Sequence, residues 1–124
     1  MMAQRVVVVS KDKYWLDAVT EMSDQDFLVV QSFCEDDVSV CVTALNEGDA
    51  ESLLLIDTGL PGNITDGVVK ARERGWRYVV PVAAAPFEQE ARALLRAGAC
   101  DYWTKTYNRS SIRQRLHEWV DQMK

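Results

Sequence analysis

Apolar residues in this chain fall into short continuous runs separated by longer periodic stretches. Arg5-Val6-Val7-Val8-Val9 is β-branched and unbroken, which suits a central strand buried on both faces. Ser10-Lys11-Asp12 ends it. Trp15, Ala18, Val19 and Met22 recur at helical spacing until Ser23-Asp24-Gln25-Asp26 breaks the pattern. Phe27 to Val30 reads as a second strand continuing towards Phe33. Val38, Cys41, Val42 and Leu45 form the next helical stripe, closed by Asn46-Glu47-Gly48. Leu53-Leu54-Leu55-Ile56 then runs into Asp57 and the turn Thr58-Gly59-Leu60-Pro61-Gly62, a third buried strand with an acid at its carboxyl end.

The second half repeats the alternation. A short helix fits Gly67 to Arg74, with Val68 and Ala71 inward and Gly75 as its stop. Tyr78 to Val82 is a fourth strand. Pro81 cannot donate to a ladder, so an edge, an end or a bulge is expected there. Pro86 precedes a helix with Ala91, Leu94 and Leu95 inward, ending at Gly98. Cys100 to Thr104 is a short fifth strand. Asn108 suits the N-cap of a last helix whose apolar side is Ile112, Leu116, Trp119, Val120 and Met123. Five strands alternating with five helices predict one α/β domain over residues 1–124. This is a flavodoxin-like doubly wound (βα)5 arrangement of five parallel strands, in the known order 2-1-3-4-5.

That order brings three strand ends together: Ser10–Asp12, Asp57 and Thr104-Lys105. A lysine from strand 5 can reach across strand 4 towards Asp57. Ligands of open α/β sheets bind at this carboxyl edge.

Two segments, LLLIDTGLPG around Asp57 and Arg96-Ala97-Gly98-Ala99-Cys100-Asp101-Tyr102-Trp103-Thr104-Lys105, resemble the receiver domain of two-component response regulators across essentially the whole chain. The resemblance implies a phosphoprotein of a phosphorelay, and the lack of a membrane-length run or a signal-peptide core leads one to expect a cytoplasmic one. Asp57 would be its phospho-acceptor, Lys105 its phosphate contact, and Tyr102 an aromatic switch that moves between exposed and buried positions. It also implies a histidine kinase or a downstream signalling protein as partner. The face of helix 4, strand 5 and helix 5, with Tyr102 and Trp103, would serve for partner contact or homodimerisation.

The departures from the family pattern make this a pseudo-receiver-like sequence. Two acids are expected after strand 1 to hold Mg²⁺, but Ser10 and Lys11 stand there, and Asp12 follows one place late. The second switch position, normally Ser or Thr, falls on Ala83, which has no hydroxyl. Thr106 replaces the proline that follows the lysine, so a trans peptide and a less rigidly held Lys105 are expected. The turn between Asp57 and Gly67 is longer than usual. Asp57 and Asp12 could offer weak metal ligation, which Lys11 opposes. Lys11 either points to solvent or pairs with Asp57 as a built-in counter-cation. At about 4 Å and an effective dielectric near 20, such a contact is worth on the order of 4 kcal/mol before desolvation.

Composition narrows the alternatives. The 124 residues are 48% hydrophobic with a net charge of −5, a globular balance that disfavours a nucleic-acid surface. No run approaches the length of a membrane span. Cys34, Cys41 and Cys100 lack metal-site spacing and read as small buried hydrophobes. His117, beside Glu118, reads as a surface histidine, and Trp15 and Trp119 as core. No convincing nucleophile–base pair is present, so no enzymatic activity and no cofactor beyond weakly held Mg²⁺ are expected. Three readings remain: a receiver with impaired phosphorylation that signals by protein contact, a fully functional phospho-acceptor receiver, and a small flavodoxin-like flavin binder. Absorbance at the flavin bands separates the last from the others.

Overall fold

A computed structural model describes residues 4–45, 48 and 51–123 of the chain. Asn46 and Glu47, read as part of the second helix's stop, and the Met123 side chain lie outside the described residues. The elements are β1 (Gln4–Ser10), α1 (Lys13–Thr20), β2 (Phe27–Phe33), α2 (Val38–Thr43), β3 (Leu53–Asp57), α3 (Ile64–Glu73), β4 (Tyr78–Ala83), α4 (Glu88–Ala97), β5 (Trp103–Thr104) and α5 (Arg109–Met123). The strands pair in parallel in the order β2-β1-β3-β4-β5, as the alternation predicts.

Successive side chains of a strand point to opposite faces, so a strand covered on both sides must be apolar at every position. Val6 and Val8 pack with Leu53, Leu55, Val80 and Val82 against Trp15 and Leu16 of α1 and Leu116 and Trp119 of α5. Val7 and Val9 pack with Leu54, Ile56 and Val79 against Val42 of α2, Val68 and Ala71 of α3, and Leu94 of α4. β2 lies at the edge and alternates: Phe27 and Val29 are buried while Leu28 and Val30 are exposed.

Several boundaries differ from the sequence reading. α3 begins one turn before Gly67, because the Asn63 carboxamide accepts from the Asp66 amide and caps a helix starting at Ile64. β5 is only Trp103–Thr104. Leu95 is exposed, since α4 buries only Leu94 fully. Pro81 is buried inside an interior strand rather than at an edge. The Val79 and Ala83 carbonyls accept from Cys100 and Lys105, whereas the Val82 carbonyl accepts from Thr58. By alternation Pro81 faces the β5 side, and β5 first pairs at Val82, so no ladder donor is missed there.

The cysteine expectation is corrected. Cys34 and Cys41 are joined in a disulfide with Cα atoms 6.0 Å apart, and Cys100 is a free, exposed thiol. Gly98 ends α4 with φ 117°, a left-handed conformation that glycine adopts without a Cβ clash. Among the described residues no helix is long and apolar enough to cross a membrane.

Candidate functional site at the carboxyl edge of the sheet

β3 delivers Asp57 to the carboxyl edge with its side chain only 3% exposed. A carboxylate this buried needs donors on both oxygens. The Gly59 amide donates to Oδ1 at 2.8 Å, from the first residues of the turn. Oδ2 receives the Ser10 hydroxyl at 2.5 Å and the Lys105 ammonium at 3.0 Å. Ser10 is fully buried at the end of β1, and its Oγ also accepts from the Asp12 amide at 2.9 Å. The Ser10 hydroxyl is therefore spent in orienting Asp57 and shaping the loop before α1.

Asp12 reaches the site although it stands one place late. It is the N-cap of α1, and its Oδ1 accepts from the Trp15 amide at 3.1 Å. Oδ2 is left to face the edge, where it meets the Lys105 ammonium at 2.9 Å and accepts from the Tyr107 hydroxyl. Burial raises the Asp12 carboxyl, but Tyr107, Lys105 and the Trp15 amide outweigh that and hold its pKa at about 2.

Lys105 thus bridges two carboxylates from two different strand ends. Its backbone N–H donates a hydrogen bond to the Ala83 carbonyl at 2.7 Å. Its ammonium lies over the rings of Trp15 and Tyr107, 5.4 and 5.7 Å from their centroids. Burial opposes the charge, yet the hydrogen bonds and charges of Asp12 and Asp57 raise its pKa above the usual lysine value. The peptide after Lys105 is trans, as Thr106 leads one to expect. The expectation of a loosely held Lys105 is not met, because the two ion pairs anchor the side chain.

Lys11 does not act as the counter-cation. It is exposed and makes no ion pair among the described residues, while Lys105 fills that role. Ala83 is buried at the end of β4, one residue beyond the partner of Asp57, and brings a methyl group where a hydroxyl would be needed. Tyr102 is half-buried against the α2–α3–α4 layer, and its hydroxyl donates to Glu90. Burial and Glu90 push its pKa up to about 12. Trp103 is corrected from interface to core: it is 7% exposed, donates from Nε1 to Asp101 at 2.9 Å and lies under Arg115.

A Mg²⁺ ion wants hard oxygen ligands in an octahedron. The donor set here does not fit one. Both carboxylates are bonded to one ammonium, Asp12 is further occupied by Tyr107 and Trp15, and the Ser10 hydroxyl is committed as a donor to Asp57. A second group of side chains lies at the amino edge, where the ligand atoms of Asp24, Asp26 and His117 fall within 4.8 Å of one another. The Arg113 guanidinium is 3.6 Å from Asp24 there, and His117 is half-exposed, edge-on to Phe27.

The sequence reading placed Asp57, Asp12 and Lys105 together correctly. It missed Tyr107 and the Ser10–Asp57 bond. An aromatic two residues beyond the lysine and a serine at a strand end were the only signals for them.

No family model matches the sequence, and no curated protein matches it. Solved structures do. A CheY-like response regulator receiver domain from Methanospirillum hungatei superposes with a TM-score of 0.75 at 21% identity, covering 97% of this chain and 95% of that one. A two-component response regulator from Clostridium difficile reaches 0.77 at 13% identity, over 97% and 98% of the two chains. An orphan response regulator from H. pylori reaches 0.73 at 16% identity, over 96% and 98%. With five parallel strands in the order 2-1-3-4-5 and the Asp57–Lys105 pair at their carboxyl edge, the chain has the receiver-domain fold of response regulators.

Proposed function

We propose that residues 1–124 are a receiver unit of a two-component signalling system that acts by protein contact, with Mg²⁺-dependent phosphorylation of Asp57 impaired. The observation that carries this reading is the loop after β1: Ser10 is spent on Asp57, Lys11 is exposed, and Asp12, its one acid, is already bonded to Lys105 and Tyr107. In phosphoryl transfer a metal gathers the charge of the incoming group and the acceptor. Here Ser10 and Lys11 stand where metal-ligating acids would be, and Asp12 is already bonded to Lys105 and Tyr107. A switch also needs contacts that differ between its states. Ala83 offers the phosphoryl group no hydroxyl, so even a labelled Asp57 would draw the β4–α4 loop only weakly.

The partner is a histidine kinase or a downstream signalling protein, and the unit itself is not an enzyme. Trp103 does not contribute to the contact face, because it is buried. Phe87 and Leu95, both exposed on or beside α4, are better placed. The test is incubation with acetyl phosphate and Mg²⁺ followed by intact mass, with Asp57→Asn as control. The unmodified chain should label slowly or not at all, and Lys11→Asp with Ala83→Thr should restore labelling. Prompt Mg²⁺-dependent labelling of the unmodified chain would return it to the ordinary phospho-acceptors.

A further inference from the structure

The connection between β2 and α2 carries a bond that phosphoryl chemistry does not require. Cys34 follows the last residue of β2, Cys41 lies within α2, and the two are covalently joined. Cys41 is buried in the core layer under α2, whereas Cys34 is only half-buried at the edge of that layer. The bond brackets Glu35, Asp36 and Asp37, and three contacts tie this bracket to the Asp57 edge. The Cys34 amide donates to the Ser10 carbonyl at 3.0 Å, and it is the Ser10 hydroxyl that orients Asp57. The Val38 amide donates at 2.8 Å to the Pro61 carbonyl, in the turn that follows Asp57. The Asp37 carboxylate packs on Gly62 of the same turn, where an added Cβ would lie 2.1 Å from its Oδ2. α2 has only six residues, too few for helical cooperativity to hold its place. The buried Val38, Cys41 and Val42 hold it on the core, and the covalent tie to β2 adds a second anchor.

We propose that Cys34–Cys41 is a reversible redox site whose reduction by a small-molecule thiol loosens the β2–α2 loop from the turn that follows Asp57. The exchange balances with a thiol and its disulfide as the couple. A thiolate attacks the sulfur of Cys34, the less buried of the two residues, forming a mixed disulfide and releasing Cys41 as a thiolate that takes a proton. A second thiolate attacks the small-molecule sulfur of the mixed disulfide and releases Cys34. Two small thiols are oxidised to one disulfide, and the protein gains two thiols. The small disulfide drives the reverse. None of these steps depends on whether Asp57 accepts a phosphoryl group.

The test uses the whole chain, purified without reductant and then equilibrated with reduced or oxidised glutathione under native conditions. Thiol titration should find one reactive group before reduction, Cys100, and three after it. Amide hydrogen exchange over residues 35–38 and 58–62 should quicken several-fold on reduction and slow again with oxidised glutathione. Cys34→Ser should show the fast pattern in both buffers, and Cys100→Ser should leave the response unchanged. Three reactive thiols before reduction, a bond that native reductant does not open, or reduction that leaves exchange over residues 58–62 unaltered would each overturn the proposal.

Discussion

Replacing Lys105 by Met removes the ammonium from between Asp12 and Asp57 and keeps much of the side-chain volume. The Lys105–Asp57 contact at 3.0 Å corresponds to ~5–6 kcal/mol of attraction at an effective dielectric of 20, and the Asp12 contact at 2.9 Å is similar. Desolvation offsets much of this in the intact site. After the substitution the attraction is gone, while Asp57 stays buried without its cation and Asp12 faces it across the gap. Losing one partner of a buried pair costs about 3–5 kcal/mol, which a domain of ordinary stability survives.

Urea unfolding followed by tryptophan fluorescence measures the loss. Asp57→Asn beside Lys105→Met closes a double-mutant cycle, whose coupling energy should exceed about 2 kcal/mol. The pH profile supplies a second check. The folded-state pKa of Asp12 is about 2 against an ordinary 3.8, so its contribution is present above pH 3.8 and fades as pH falls towards 2. Lys105 is raised above its ordinary 10.5, so its contribution holds below that value and is lost as pH rises through the folded pKa. The difference between wild type and variant should therefore be largest between these limits and shrink on both sides. A loss under about 1 kcal/mol at pH 7, or a cycle with no coupling, would mean that Lys105 is a solvated side chain, and the account of the site would fail.

Trp103→Ala should destabilise the fold by about 3–5 kcal/mol, read by thermal or urea unfolding, and leave the sedimentation of the folded protein unchanged. A change in self-association without loss of stability would restore the interface role. Tyr107→Phe removes a hydroxyl donor from Asp12, so an NMR titration should find the Asp12 pKa raised from about 2 towards 3.8, with stability reduced by about 0.5–1.5 kcal/mol.

The strands were legible because burial on two faces leaves little freedom in β1, β3 and β4: away from the strand ends the positions are apolar, and each run stands out against its turns. Their carboxyl ends followed from topology, and with them the meeting of Asp57, Asp12 and Lys105. Trp103 was opaque because a two-residue strand has no alternation from which to read a face. Leu95 sits one residue after the buried Leu94, and the narrow contact of α4 decides between them. Trp76 is 1% exposed, yet it lies between Gly75 and Arg77 outside any periodic stretch, so no pattern marks it as core. The Cys34–Cys41 bond joins a strand end to a helix across seven positions, and sequence spacing does not show a through-space distance of 6.0 Å. Lys11 and Lys105 were both lysines at the right edge. Only the side-chain geometry separates the exposed one from the one that bridges two acids.

The central claim is that the acids which would hold a metal ion beside Asp57 are either replaced, by Ser10 and Lys11, or already bonded, as Asp12 is. Titration calorimetry of Mg²⁺ into the unmodified chain at pH 7 tests it most directly. The account predicts no saturable heat across the millimolar range, because Ser10 and Lys11 offer no carboxylate and the ion would have to free Asp12 from Lys105 and Tyr107. Saturable binding that disappears in Asp57→Asn would contradict it.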